Sequence, residues 1–198
     1  MAIISDLHTS PVITRHPANP VLTAADVPYN AALIFNAGVC RWQGQYVMVF
    51  RNDYGSLAEQ KLTGTNIGLA TSPDGVTWTV APEPCFALED EETVRAYDPR
   101  LTVIDGRVTM CFAVDTRHGL RGGIATTDDF EQFEVLSMSV PDNRNMVLFD
   151  RTFDGKYVRL ERPMPIYSRG SGEKFDIWIS DSPDLRYWGN SALLVGGE

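Results

Sequence analysis

The sequence predicts an all-β chain, an incomplete β-propeller of about three four-stranded blades. Three observations predict it. One phrase recurs at a fixed interval, as Ser72-Pro73-Asp74-Gly75-Val76-Thr77-Trp78, Thr127-Asp128-Asp129-Phe130-Glu131-Gln132-Phe133 and Ser182-Pro183-Asp184-Leu185-Arg186-Tyr187-Trp188, with Asp74, Asp129 and Asp184 spaced 55 residues apart. Leu69, Ile124 and Ile179 keep the same step, each in a short apolar run just before the phrase. Each repeat also carries an earlier residue-Gly pair between apolar runs, at Gln43-Gly44, Asp105-Gly106 and Asp154-Gly155. A period near fifty residues built from strands and turns marks a propeller or a related array. A generic β-sandwich with coincidental spacing is the alternative.

The elements follow in order. Residues 1–32 form an N-terminal arm, and blade-like repeats cover about 33–88, 89–140 and 141–198. Each repeat reads strand, Gly turn, strand, loop, strand, Asp turn, strand. The Gly turns are type I′ signals, because that turn needs positive φ at both central residues. Pro-Asp and Asp-Asp then reverse the chain into the strand that follows Trp78, Phe133 or Trp188. Known propellers close with four to eight blades. Three leave raw sheet edges and apolar blade faces, so the chain is expected to be C-terminally incomplete. It is expected to form a homo-oligomer or to bind a partner chain that supplies the missing blades.

Composition sets bounds. The length suits a single domain. A net charge of −9 argues against nucleic acid as a partner. No run is long enough for a transmembrane helix and the first residues lack a signal-peptide pattern, so no membrane partner is expected. Cys40, Cys85 and Cys111 are odd in number and lack ligand spacing, which points to a reducing cytoplasm. With His8, His16 and His118 scattered, no metal site is expected. The run Glu89-Asp90-Glu91-Glu92 reads as a solvated loop between blades.

The chemistry-bearing candidates lie where propeller strands approach the axis. Tyr97-Asp98-Pro99-Arg100 precedes the apolar run Leu101–Ile104. Pro99 biases Asp98 towards an extended backbone, and Arg100, two residues on, is expected on the same strand face. An aspartate and arginine so placed could hold a polyol while the acid acts on a glycosidic oxygen. An Asp-Pro turn with a structural ion pair is the plainer reading. Polar residues recur in the other repeats, in Phe35-Asn36-Ala37-Gly38 and Asn143-Arg144-Asn145-Met146. Second strands end in Arg51-Asn52-Asp53, Asp115-Thr116-Arg117 and Glu161-Arg162-Pro163. Arginines after apolar strands are costly to bury without an anion, and a planar fork of donors suits phosphate. Rim arginines paired with the chain's many acids are the alternative.

These motifs, with His16-Pro17-Ala18-Asn19-Pro20-Val21-Leu22 upstream and Val147-Leu148-Phe149 after Met146, resemble the inverting β-mannoside phosphorylases. These are five-bladed propellers that cleave β-mannosides with inorganic phosphate, and the pattern is most similar to the branch acting on 4-O-β-D-mannosyl-D-glucose. The match corresponds to about the first three blades. The resemblance implies Asp98 as the catalytic acid, protonating the leaving oxygen through the mannose 3-hydroxyl. It implies Arg51, Arg144 and Arg162 as phosphate ligands, and Asn36, Asp53, Tyr97 and Arg100 as residues facing the sugar. It also implies a mannoside disaccharide and phosphate as substrates, α-mannose 1-phosphate as product, and no cofactor. Further family ligands, a lysine, a histidine and a tyrosine, come from the last two blades. Two other readings remain: a glycosidase using acids such as Asp53 and Asp115, and a non-catalytic carbohydrate-binding propeller fragment.

Overall fold

The computed structural model describes residues 12–88, 90–164 and 175–197. Among the described residues it holds twelve strands, and the only helical element is a 3₁₀ turn at Ala24–Asp26. The first blade is β1 (Leu33–Trp42), β2 (Gln45–Ser56), β3 (Lys61–Ser72) and β4 (Thr79–Val80). The second is β5 (Thr93–Ile104), β6 (Arg107–Thr116), β7 (Gly119–Thr127) and β8 (Glu134–Met138). The third is β9 (Asn143–Leu148), β10 (Tyr157–Pro163), β11 (Ile177–Ser182) and β12 (Gly189–Val195). Each is an antiparallel meander in chain order.

Local chemistry explains the meander. The central residues of the first hairpins are left-handed in every blade, with φ of 47° and 86° at Gln43-Gly44, 51° and 75° at Asp105-Gly106, and 50° and 75° at Asp154-Gly155. These angles match the right-handed twist of the flanking strands. The recurring phrase is a second, identical turn. Oδ1 of Asp74 accepts from the backbone of Val76 and Thr77, that of Asp129 from Glu131 and Gln132, and that of Asp184 from Arg186 and Tyr187. The residue after each aspartate is left-handed: Gly75, Phe130 and Leu185. Trp78 and Trp188 then close their turns by donating Nε1 to the carbonyls of Gly75 and Leu185.

The blades bury their faces on one another. Val49, Ile67 and Phe86 of the first pack with Val108, Met110 and Phe112 of the second. Ile104, Cys111 and Ile124 of the second meet Met146, Leu148 and Leu185 of the third. The arm covers the opposite face of the first blade, where Val27 joins Met48, Phe50 and Ala70. Asn52, fully buried, ties the arm down by donating to the Asn30 carbonyl at 3.0 Å. Nothing among the described residues covers the outermost strand of the third blade in the same way, and Leu193, Leu194 and Val195 of β12 are exposed.

Two blades share a cross-strand device that the third inverts. Phe50 faces Gly68 across β2 and β3, and Phe112 faces Gly123 across β6 and β7. Each ring lies over its glycine, in the space a β-carbon would take. In the third blade the matching pair is Glu161 and Trp178. Glu161 is buried there with Arg159, at 2.8 Å, their side chains 5 % and 7 % exposed. Asn143 also donates to Glu161, and the Arg159 guanidinium lies over the Trp188 ring. Burial pushes the Arg159 guanidinium below its ordinary pKa against the pull of Glu161.

Two outcomes follow from this packing. Gly123→Ala drives a methyl into the Phe112 ring, and urea unfolding should show a loss of about 1–3 kcal/mol; unchanged stability would mean that the ring yields freely. Glu161→Gln leaves a buried guanidinium without its counter-charge, and the same measurement should show a loss of about 3–5 kcal/mol. A loss below 1 kcal/mol, roughly that of an exposed pair, would place the pair effectively in solvent.

Candidate active site

One irregularity builds the site. In each blade the first strand carries a surplus residue near its middle, and β5 carries a second near its start, between Thr93 and Arg95. The register slips between Phe35 and Gly38 in β1, between Tyr97 and Arg100 in β5, and opposite Leu160 and Arg162 in β9. The residue at the slip is left-handed every time, with φ of 50° at Asn36, 54° at Asp98 and 59° at Asn145. Asn and Asp tolerate this region best among residues with a side chain. A β-bulge of this kind re-aims a side chain out of the sheet. Asp98 is therefore not extended, as Pro99 suggests, because the bulge overrides the bias. It also lies within β5 and not ahead of it, since pairing with β6 begins at Thr93.

The three bulges meet at one pocket of about 410 Å³, lined by Asn36, Ala37, Asp98, Pro99, Arg100, Arg144, Asn145 and Arg162. Gly38 makes the meeting possible. A β-carbon there would stand 2.8 Å from the Arg100 Cα, so the backbones of β1 and β5 touch. This brings the Asn36 amide to Oδ1 of Asp98 at 2.8 Å. Arg51 also donates to that oxygen, at 3.3 Å, and Oδ2 has no protein partner among the described residues.

The arginines divide into two sets. Arg51 grips Asp53 with two bonds of 2.8 Å and reaches Asp98 with a third nitrogen. Its guanidinium carbon also lies over the rings of Phe35 and Tyr97, 4.6 and 4.8 Å from their centres. Burial opposes its charge, but Asp53 and Asp98 outweigh burial and raise its pKa. Asp53 likewise resists burial: Arg51 and the Thr65 hydroxyl hold its carboxyl below the ordinary value. Arg100, Arg144 and Arg162 differ, with no carboxylate within ion-pair distance of any of them among the described residues. Arg100 donates to the Met146 carbonyl, and Arg144 to the Tyr97 hydroxyl. Among the described residues, Nε of Arg144 and of Arg162 is buried without a partner. Burial, then the charges of Arg144 and Arg100, push the Arg162 guanidinium below its ordinary pKa.

Of the residues expected at the site, Asn36, Asp98, Arg100, Arg144 and Arg162 share the pocket wall. Arg51, Asp53 and Tyr97 stand behind it. Arg51, a phosphate ligand by resemblance, is already spent on two carboxylates. Tyr97 is 2 % exposed, and its hydroxyl lies 2.6 Å from Asp115. Arg117 is exposed, away from the wall. Asn145 joins the wall although its sequence context does not single it out. The bulge residues at 36, 98 and 145 do not keep the 55-residue step, because the loops between blades differ in length, so the repeat grid does not find them.

Comparison with known proteins agrees with this architecture. The family described as β-1,4-mannooligosaccharide phosphorylase, glycoside hydrolase family 130, matches residues 7–196. The chain is 32 % identical over 198 residues to a β-1,4-mannooligosaccharide phosphorylase of Ruminococcus albus, covering 93 % of this chain and 56 % of that protein. It is 31 % identical over 199 residues to a 4-O-β-D-mannosyl-D-glucose phosphorylase of Bacteroides fragilis, covering 81 % and 48 %. It is 33 % identical over 132 residues to a β-1,2-mannobiose phosphorylase of Listeria innocua, covering 66 % and 36 %. The chain thus spans about half the length of the curated relatives it matches. The solved complex of the Listeria innocua β-1,2-mannobiose phosphorylase with β-1,2-mannobiose has the same fold, with a TM-score of 0.76 at 23 % identity, over 91 % of this chain and 65 % of that one. With the repeat pattern, the blades and the family match in agreement, the chain belongs to the β-1,4-mannooligosaccharide phosphorylase family, glycoside hydrolase family 130.

Proposed function

We propose that this chain carries the catalytic acid and part of the phosphate site of a β-mannoside phosphorylase, which cleaves its substrate with inorganic phosphate and inversion to give α-mannose 1-phosphate. One observation carries the reading: a pocket with one carboxylate, Asp98, faces three arginines that no carboxylate neutralises among the described residues. Like charges gathered in a half-buried site repel unless an anion joins them. Phosphate supplies that anion, and it is already a charged nucleophile. An inverting hydrolase would instead need a second carboxylate to activate water.

In this reading Asp98 protonates the departing sugar oxygen. Oδ1 is held by Asn36 and Arg51, which leaves Oδ2 for the substrate. Arg144 and Arg162 take phosphate, with Arg100 beside them, while Arg51 and Asp53 act from behind by fixing Asp98. Asn36 and Arg100 line the sugar side. The substrate assigned is 4-O-β-D-mannosyl-D-glucose. The named relatives act on both 1,4- and 1,2-linkages, and the aglycone is the part of this reading that rests on resemblance alone. Exposed apolar residues such as Val147, Ile177 and Val195 support the expectation that the third blade packs against a further blade.

A glycosidase is the competing reading, and one solved relative comes from work describing glycoside hydrolases of this family that target β-1,2 mannosidic linkages. Here the acids it would recruit are occupied, Asp53 by Arg51 and Asp115 by Arg95 and Tyr97.

Two measurements test the proposal. Asp98→Asn should cut mannose 1-phosphate release about a hundred- to ten-thousand-fold while disaccharide binding persists; near-normal turnover would put the acid elsewhere. Arg162→Ala should raise the phosphate KM about tenfold or more with little change in the disaccharide KM, since a charged contact contributes about 1.5–3 kcal/mol. Sugar release by the parent protein without added phosphate would show hydrolysis and sink the phosphorylase reading.

A further inference from the structure

Asp115 does not line the pocket, yet it governs a residue that does. Its two oxygens are divided. Oδ2 accepts from Arg95 at 2.6 Å, and Oδ1 faces the Tyr97 hydroxyl at 2.6 Å. The same hydroxyl lies 3.1 Å from Nη1 of Arg144. A guanidinium donates only, an ionised carboxylate accepts only, and a phenol has one proton to give. The proton assignment is therefore forced: Tyr97 donates to Asp115 and accepts from Arg144. The guanidinium carbons of Arg51 and Arg95 each lie over the ring, 4.8 Å from its centre, and pack it in place. Burial, then the bond to Asp115, push the Tyr97 hydroxyl up to about 12, so it keeps that proton.

The arrangement solves a conflict. A carboxylate placed directly on Arg144 would orient it but would also neutralise it, as Asp53 does to Arg51. A neutral phenol orients without neutralising. Resting on the phosphate reading above, we propose that Asp115 is a positioning residue of the anion site, fixing the Tyr97 hydroxyl so that it holds the Arg144 guanidinium towards phosphate with its charge unspent.

The amide of Asp115→Asn cannot serve Tyr97 and Arg95 at once. With its oxygen towards Tyr97, its NH₂ opposes Arg95; with its oxygen towards Arg95, its NH₂ opposes the Tyr97 proton. Either way one donor meets another.

Calorimetric titration of inorganic phosphate into the 198-residue protein tests the proposal. The variants are Asp115→Asn, Tyr97→Phe, the two combined, and Arg162→Ala. Asp115→Asn and Tyr97→Phe should each weaken phosphate binding about tenfold, a loss typical of a hydrogen bond to a charged group. The double variant should be no weaker than Tyr97→Phe alone, because both act through one bond. Melting midpoints should stay near the parent value. If Asp115→Asn does not fold, Tyr97→Phe still decides. Full phosphate affinity in Tyr97→Phe or in Asp115→Asn, additive losses in the double variant, or losses that track a fall in melting midpoint would each overturn the positioning role. If Arg162→Ala also binds phosphate as the parent does, or the parent binds none, the anion reading itself falls.

Discussion

The surplus residue in the first strand of each blade is the constraint on which the rest of the site depends. A regular strand would alternate its side chains between two packed sheet faces, and none would point along the blade edges into the space where the blades converge. The bulge turns Asn36, Asp98 and Asn145 into that space, at the cost of a left-handed backbone in each. It also shifts the register of the residues beyond it. Arg100 thereby reaches the same wall as Asp98, and Gly38 admits β5 to contact distance. A site assembled in this way draws on long-range order in three sheets, and no single segment contains it.

The second organising principle is the separation of charges. The chain is acidic overall, yet its pocket holds more positive than negative groups. Acids are not scarce; they are committed elsewhere. Asp53 serves Arg51, Glu161 serves Arg159, and Asp115 serves Arg95. Each pairing stabilises a scaffold arginine and removes an acid that could otherwise neutralise the wall. The buried pair of Arg159 and Glu161 sits one residue from Arg162 and, through Asn143, one residue from Arg144. The wall is thus anchored by a network that never enters it.

How much of this is legible in the sequence depends on the range of the interaction. The Asp turns and Gly hairpins are local, and their residues carry the required geometry themselves; the twelve strands follow from them. Asp98, Arg144 and Arg162 stand out because charged groups flanking apolar strands are costly to bury without a ligand or a counter-charge. The bulge is not legible. Pro99 argues for an extended Asp98, and only pairing with β6 shows the extra residue. Nor does the sequence separate Arg51 from Arg162: both follow apolar strands, but one meets Asp53 two residues on and the other meets a methionine sulfur. Asp115 reads as a free acid, because Arg95 and Tyr97 reach it only across the sheet.

The arm laid over the first blade gives the array a direction. In nearest-neighbour language, coupling is strongest for the second blade, which has a packed sheet on each side. The first blade has one sheet and the arm, and the third has a single described neighbour. Local opening is easiest where coupling is least. Asp98 belongs to the second blade, and Arg144 and Arg162 belong to the third. The proposed proton donor and the proposed anion grip thus stand on different blades, so a bound phosphate would tighten the third blade against the second and supply part of the cohesion between them.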